Sequence, residues 1–359
     1  MKATEALHNL GQSLWIDNIT RKMLDEGVLQ AYIDELSLTG LTSNPTIFEK
    51  AIGAGDSYDE QISELHEQGL QGEDLFFELA LTDLTRAAGL FEQVHDQTDS
   101  VDGYVSLEVS PLLADDSAST IQQAADLHSR ASKNVYIKIP GTEAGLTAIE
   151  ESIFAGIPIN VTLLFDADQY LVAADAYMKG IERRIEADLE PNVSSVASLF
   201  VSRWDVSVGD KAGEDMKNKI GIAVARKAYA AYRGLLDSDR AERLASAGAR
   251  PQRLLMASTG TKDPDAPDTM YVEALAAPDT VDTMPENTLL ALADHGNIGE
   301  PIPADGGDAE QVLAEFENAG IDVDALAAQL QQEGKESFNK SWNELLGSLE
   351  SKREAVASS

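Results

Sequence analysis

The chain has 359 residues, 43% of them hydrophobic, which is enough for two average domains or for one α/β barrel with a large core. It carries 62 acidic and 27 basic residues, and this net charge of −35 argues against nucleic acid and anionic membranes as partners. There is no cysteine, no apolar run of membrane-spanning length and no basic start with an apolar leader. We therefore expect a cytoplasmic protein without disulfides or thiolate metal sites.

The acidic residues are spread along the chain rather than gathered in one tail. Together with a normal apolar content, this distribution is typical of a folded protein with an acidic surface. A large net charge destabilises the compact state through self-repulsion unless salt screens it. The composition therefore predicts adaptation to a salt-rich cell interior.

Short apolar segments alternate along the chain with segments of helical periodicity. The predicted strands are 13–17, 38–45, 104–110, 134–139, 158–164, 193–200, 253–258 and 281–284. The predicted helices are 1–12, 20–35, most of 46–100, 118–131, 143–155, 168–184, 217–236, 309–319, 323–332 and 336–356.

Eight strands that alternate mostly with helices predict a (β/α)₈ TIM barrel with extra N- and C-terminal helices. The alternative is an open doubly wound sheet. No strand is followed by a Gly-x-Gly-x-x-Gly turn, and Gly141 and Gly145 lack the Gly-Lys-Ser/Thr ending of a phosphate-binding loop. We expect one catalytic domain over residues 1–359, with the C-terminal helices, about 309–356, packed on it.

The fourth predicted strand carries a lysine near its C-terminal end. Val135, Ile137 and Ile139 share one face, and Tyr136 and Lys138 share the other. Lysine is rarely buried without a partner, and an amine removed from water loses part of its preference for the charged form. An uncharged amine is a nucleophile toward carbonyl groups. The alternative is a lysine side chain that extends from a strand end to solvent.

Polar residues of the same parity as Lys138 occur on five further strands, six with its own, mostly in the later half, where barrels build their active sites. They are Asp17, Thr42, Asn44, Ser106, Glu108, Asn160, Thr162 and Ser198. Each has a structural alternative: a helix cap for Asp17, a turn before Pro45 for Asn44, and an ion pair with Lys138 for Glu108. For Ser106, Thr162 and Ser198 the alternative is hydrogen bonding to the backbone. Their coincidence favours one site.

A buried amine with two carboxyl groups indicates a particular chemistry. The amine forms a Schiff base with a ketone, and the protonated imine accepts electrons when a neighbouring carbon–carbon bond breaks. One carboxylate takes the proton of the departing carbinol, and the other serves the dehydration at nitrogen. No metal or cofactor is expected, because none of the five histidines has ligand spacing to another.

Seven sequence blocks carry a family resemblance. They are LWIDN at 14–18, LTSNP at 41–45, SLEV at 106–109, VYIKIP at 135–140, INVTLLF at 159–165, ASLFVSR at 197–203 and MASTGTK at 256–262. In this order and spacing, the sequence resembles the transaldolase family, in its longer bacterial form, over nearly its whole length.

The resemblance implies a (β/α)₈ barrel that transfers a dihydroxyacetone unit in the non-oxidative pentose phosphate pathway. The donor would be sedoheptulose 7-phosphate or fructose 6-phosphate, and the acceptor erythrose 4-phosphate or glyceraldehyde 3-phosphate. Lys138 would form the Schiff base, Asp17 would be the base at the donor C4 hydroxyl, and Glu108 would act through a water near Thr162. The residues expected to bind substrate are Thr42, Asn44, Ser106, Asn160, Ser198, Phe200, Arg203, Ser258 and Lys262.

Within this set, Asn44 and Asn160 would hold the dihydroxyacetone hydroxyls, helped by Ser198, and Arg203 would bind the phosphate. One departure concerns that phosphate. Some family members have a second arginine two residues after the serine of the seventh strand, where this chain has glycine, in STG at 258–260. Lys262 is the candidate for the missing charge.

Two other functions stay open at the level of sequence. A simple aldolase on the same barrel would release dihydroxyacetone to water, and a non-catalytic barrel would only bind sugar phosphates. In each case the partners are sugar phosphates, and the protein is a monomer or a homodimer.

Overall fold

Eight parallel strands close into a barrel in the computed structural model, which describes residues 2–357. Each strand pairs with the next in chain order, and the eighth pairs with the first. The strands are β1 (Ser13–Asp17), β2 (Leu38–Thr42), β3 (Val105–Glu108), β4 (Val135–Pro140), β5 (Ile159–Leu164), β6 (Ser195–Phe200), β7 (Arg253–Ala257) and β8 (Val281–Met284). The predicted (β/α)₈ barrel is confirmed, and the open sheet is excluded.

Sixteen α-helices surround or extend this barrel within the described residues. They are α1 (Ala3–Leu10), α2 (Arg21–Asp25), α3 (Val28–Leu36), α4 (Pro45–Gly53), α5 (Asp59–Glu67), α6 (Gly72–Gln97), α7 (Ser117–Arg130), α8 (Glu143–Ala155), α9 (Ala167–Glu186), α10 (Ser202–Val208), α11 (Ile220–Leu236), α12 (Asp239–Ser246), α13 (Met270–Ala274), α14 (Glu286–His295), α15 (Ala309–Asn318) and α16 (Val323–Ala357). In the same part of the chain, no helix is both long and apolar enough to cross a membrane.

The structure corrects several predicted helix boundaries. The helix expected at 20–35 is two helices, because Gly27 adopts the left-handed conformation with a φ of 71°. The helix expected at 217–236 begins only at Ile220, after two short 3₁₀ turns and a left-handed Asn218. The helices α10, α12, α13 and α14 were not predicted.

The two last predicted helices are in fact one helix of 35 residues, α16. Gly334, which lies between the two predicted helices, weakens the local helical pattern, but glycine in a helix costs only about 1 kcal/mol relative to alanine. Packing against the barrel offsets that cost. Gln331 donates to the carbonyls of Gly141 and Leu163, and Trp342 Nε1 donates to a carboxylate on α6.

Aromatic side chains fill the N-terminal half of the barrel lumen. The rings of Tyr104 and Tyr136 stack at 4.1 Å, and the Trp15 ring lies 6.0 Å from that of Tyr136. Gly40 makes room for the indole, since a Cβ there would lie 2.4 Å from Trp15 Nε1. This packed floor closes the N-terminal half of the lumen and leaves the C-terminal half for a site.

Candidate active site

The predicted site residues meet at the C-terminal mouth of the barrel. A cavity of about 300 Å³ lies there. Ten of the thirteen predicted residues line it: Asp17, Thr42, Asn44, Lys138, Thr162, Ser198, Phe200, Arg203, Ser258 and Lys262. The other three, Ser106, Glu108 and Asn160, are buried and contact this lining through Lys138 and Ser198.

Lys138 is buried against a carboxylate. The registers of β3 and β4 place Glu108 opposite Lys138, and Nζ lies 3.3 Å from Glu108 Oε2. Nζ also donates to the Ser43 carbonyl at 3.3 Å, and both charged side chains are about 5% exposed. Burial raises the pKa of Glu108, and the positive charge of Lys138 opposes that rise. The alternative of a solvent-exposed lysine is therefore wrong.

Asp17 lies on the cavity wall at the end of β1. It accepts a hydrogen bond of 2.8 Å from Thr42 Oγ1, which in turn is 2.7 Å from Thr283 Oγ1. The surrounding protein raises the pKa of Asp17 by desolvation, opposed by the charges of Lys138 and Lys262. Asp17 is not a helix cap, since Thr20 caps α2.

Asn44 lies in the turn before Pro45 and also at the cavity. Its Oδ1 accepts from the Ile47 amide at 3.1 Å, which caps α4, and Pro45 occupies the first helical position. The residue also lines the cavity. With Oδ1 engaged in the cap, the side-chain amide nitrogen is the group with which Asn44 would donate to a ligand.

Asn160 is fixed by two serine hydroxyls. Its Nδ2 donates to Ser106 Oγ at 3.0 Å, and Ser198 Oγ donates to its Oδ1 at 2.7 Å. The two serines thus bond a side chain rather than the backbone, contrary to the structural alternative. Thr162 Oγ1 is buried and has no hydrogen-bond partner in the described part of the chain, and in that part the buried Glu108 Oε2 makes no hydrogen bond beyond its ion pair with Lys138 Nζ.

Two of the predicted site residues, Arg203 and Lys262, bring positive side chains to the cavity from different elements. Arg203 lies in the first turn of α10, with its Cζ 5.1 Å from the ring centroid of Phe200. Lys262 follows β7 and lines the same cavity, and Ser258 before it adopts a φ of 58° with its Oγ 2.8 Å from Ser202 Oγ. The mouth therefore combines an amine, two carboxyl groups and these two cations, and Lys50 of α4 adds a third.

Comparison with known proteins decides the family. The family model described as Transaldolase/Fructose-6-phosphate aldolase matches residues 14–349. The chain belongs to this family. A curated relative named Transaldolase from Saccharopolyspora erythraea is 42% identical over 350 residues, covering 95% of each chain. Others so named are from a Parafrankia species, 41% identical over 99% of this chain and all of the relative, and from Mycobacterium bovis, 43% identical over 95% and 94%.

The resemblance inferred from the motifs is thereby confirmed, and so is the prediction of an enzyme of the transaldolase family. Seven residues that line the cavity were not predicted from the sequence. The residues missed are Thr46, Ile47, Lys50, Ala257, Thr283, Pro285 and Phe338. The parity of β8 would have indicated Thr283, but nothing in the local sequence marks Phe338, which belongs to α16.

A further buried acid, Asp282, was also missed. It is fully buried on β8 and accepts a 2.7 Å hydrogen bond from Thr259 Oγ1. Its neighbours Val281 and Thr283 contact the lumen, so by strand alternation Asp282 faces the helices. Burial raises the pKa of Asp282 to about 7. Asp282 therefore supports the loop after β7 through Thr259 and does not line the cavity.

Proposed function

We propose that this protein is a transaldolase that transfers a dihydroxyacetone unit through a Schiff base on Lys138. The donor is sedoheptulose 7-phosphate or fructose 6-phosphate, and the acceptor is erythrose 4-phosphate or glyceraldehyde 3-phosphate. The reaction belongs to the non-oxidative pentose phosphate pathway. The single observation that carries the residue assignment is the buried Lys138–Glu108 pair at the barrel mouth, with Asp17 on the same cavity wall.

Imine formation requires proton transfers beside Nζ. The amine adds to the donor ketone, and the carbinolamine then loses water, which needs an acid at the departing hydroxyl. Glu108 lies 3.3 Å from Nζ and is assigned that role. A water molecule between Glu108 Oε2 and Thr162 Oγ1 would satisfy both buried oxygens and carry the proton.

Carbon–carbon cleavage requires a base at the C4 hydroxyl. Asp17 takes that proton, the C3–C4 bond breaks, and its electron pair moves into the iminium to give an enamine while the aldose phosphate leaves. Desolvation raises the pKa of Asp17, which makes its carboxylate a stronger base. The enamine then adds to the acceptor aldehyde by the reverse steps.

The remaining cavity residues hold the substrate. Asn160, oriented by two serines, and Asn44 bond the hydroxyls of the dihydroxyacetone unit. Arg203 and Lys262 supply the positive charge for the phosphate, with Lys262 in place of the second arginine of other members. The other assigned contacts are Thr42, Ser106, Ser198, Phe200 and Ser258.

The test is to trap the imine. Borohydride added with fructose 6-phosphate reduces an imine to a stable amine, so it should inactivate the protein and leave a mass adduct on the peptide of residues 134–140. Lys138→Ala should lose both the adduct and the activity. Lys50→Ala and Lys262→Ala remove the other cavity amines and should still be labelled at Lys138.

The assignment fails if the adduct forms on another lysine, or if Lys138→Ala keeps full activity. A chelator in the trapping reaction should have no effect, since an imine needs no metal ion.

The family description includes fructose-6-phosphate aldolase, which keeps a simple aldolase as the second candidate. Free dihydroxyacetone accumulating at the full turnover rate without an acceptor aldehyde would favour it. A non-catalytic sugar-phosphate-binding barrel is disfavoured, because Lys138 and Asp17 line one cavity and Glu108 pairs with Lys138 beneath it.

The domain organisation and the partners of the enzyme follow from the packing of α16 and from the net charge. We infer one catalytic domain over residues 1–359, since α16 bonds to the loop after β4, to β5 and to α6. The net charge of −35 argues against nucleic acid or membrane partners and is compatible with a cytoplasmic monomer or homodimer. Schiff-base chemistry needs no cofactor.

A further inference from the structure

Phe338 brings an aromatic ring to the reacting amine from the far end of the chain. The residue lies on α16 and is 4% exposed. Its ring centroid lies 5.8 Å from Lys138 Nζ, 5.7 Å from Arg203 Cζ and 6.5 Å from the ring of Phe200. Phe338 and Phe200 together form an apolar wall beside the nitrogen that would carry the intermediate.

The backbone of α16 holds this ring in place. Gln331, Gly334 and Phe338 are spaced so that they share one face of the helix. Gln331 Nε2 donates to the carbonyl of Leu163 at 2.9 Å. At Gly334 the helix lies so close that a Cβ would be 2.9 Å from Leu163 Cδ2. The ring of Phe338 is therefore fixed, because α16 contacts the barrel at Gln331 and Gly334, within two helical turns of Phe338.

We propose that Phe338 determines the fate of the Lys138 enamine by keeping water from its nucleophilic carbon, so that this carbon adds to an acceptor aldehyde instead of being protonated and released as dihydroxyacetone. This inference rests on the proposed function. It deepens that function by assigning the choice between transfer and hydrolysis to a residue of the C-terminal helix.

The competing reaction shows why a water-excluding ring matters. Hydrolysis requires protonation of the enamine at carbon, which gives an iminium ion, and then addition of one water at the imine carbon. The carbon–nitrogen bond then breaks, free dihydroxyacetone leaves, and the lysine amine is restored. The water proposed between Glu108 and Thr162 serves imine formation and hydrolysis in both reactions, so they differ in the protonation of the enamine carbon. An ordered water needs two to four polar partners, and the rings of Phe338 and Phe200 offer none beside that carbon. The acceptor aldehyde, in contrast, is held through its phosphate by the cations of the cavity.

The experiment measures two rates with fructose 6-phosphate as the donor: release of free dihydroxyacetone, and transfer to erythrose 4-phosphate. In Phe338→Ala the ratio of release to transfer should rise by about tenfold or more. Phe338→Leu keeps an apolar side chain and should lie between the parent and Phe338→Ala. Leu345→Ala is the control, because Leu345 is a fully buried residue of the same helix outside the cavity lining. Its ratio should equal that of the parent.

Borohydride trapping separates failure of the inference from failure of the proposed function. If the parent forms no adduct at Lys138, the proposed function fails and the inference with it. If Phe338→Ala or, should that variant not fold, Phe338→Leu forms the adduct with the ratio of the parent, the inference alone is overturned. An equal rise in Leu345→Ala would assign the effect to loosening of α16 and would also overturn it.

Discussion

Two carboxyl groups serve the Lys138 amine, and their surroundings give them different tasks. Asp17 is half-buried on the wall and accepts from Thr42. Glu108 lies beneath the cavity, where its Oε2 pairs with Lys138 Nζ at 3.3 Å. A base for the substrate hydroxyl must face the substrate, whereas an acid for dehydration must be close to the amine. The geometry fits Asp17 to the first task and Glu108 to the second.

Substitution should separate these two tasks. Asp17→Asn should lower kcat by roughly 10²- to 10⁴-fold, because general base catalysis is lost, while borohydride still traps substrate on Lys138. Glu108→Gln should slow the trapping itself, because dehydration then lacks its acid. Single-turnover trapping followed by mass spectrometry measures both. If both variants trap and turn over at the parent rates, the roles are assigned wrongly.

Asp282 is expected to affect stability rather than catalysis. Its pKa is raised to about 7 by burial, above the value of about 3.9 in an unfolded chain. A carboxyl group raised in this way binds its proton more tightly in the folded state. Its contribution to stability is full below the unfolded pKa and is lost as the pH rises to about 7.

Asp282→Asn keeps a neutral group of the same shape and should remove this loss. The free energy of unfolding of the variant relative to the parent should rise by about 2 kcal/mol between about pH 5.5 and pH 7. Urea unfolding at several pH values measures the trend, and Glu67→Gln, an exposed acid on α5, is the control. A constant difference between Asp282→Asn and the parent would mean that Asp282 does not titrate in this range.

At the scale of elements, α16 completes a site that the barrel strands begin. The strands supply the amine, the carboxyl groups and the amides, and α16 supplies the ring of Phe338. Close approach of the helix depends on Gly334, where a Cβ would lie 3.2 Å from Arg203 Nη1. The position of the helix therefore influences the position of the proposed phosphate-binding arginine.

Gly334→Ala should disturb binding more than folding. The new methyl group displaces the Arg203 side chain and should raise KM for the sugar phosphate several-fold with kcat little changed. The better helix propensity of alanine, about 1 kcal/mol, should keep stability near that of the parent. Gly347→Ala on the same helix is the matched control, because no atom lies within 4 Å of its added Cβ. Equal KM values in both variants would contradict the proposed coupling.

At the scale of the whole molecule, the charge balance dominates. With 62 acidic and 27 basic residues, one-to-one ion pairs leave most acidic side chains without a cation. Exposed ion pairs such as Arg86–Asp25, with N–O at 2.6 Å, contribute little individually. Repulsion among the remaining acids therefore opposes the compact state.

Added salt should relieve this repulsion. The melting temperature should rise by several degrees as KCl is increased from low to molar concentration, because screening shortens the range of the repulsion. Chloride is the appropriate anion for thermal melts, since sulfate strengthens apolar burial by itself. A melting temperature that stays flat or falls would contradict salt adaptation.

The site on the strands could be inferred before the structure because its signals are local. Strand β4 is a short apolar run with one lysine, and alternation assigns Lys138 to the face that also bears Glu108 on β3. Parallel strands in register then bring neighbouring residues of one parity together. The helix boundaries could not be inferred in the same way, because Gly27 and Gly334 look alike in the local sequence. One ends a helix and the other lies inside α16.

The barrel, the lumen-facing parity and the amine with its two carboxyl groups follow from the amino-acid sequence alone, because they depend on period-two alternation and on chain order. Three features emerge only from the packing of the folded chain: α16 is one helix over the mouth, Phe338 adjoins Lys138, and Asp282 is buried behind Thr259. The physical reason is the range of the interactions. A contact between residues far apart in the chain depends on how whole elements pack, and a helix carries no local signal for the surface on which it will lie.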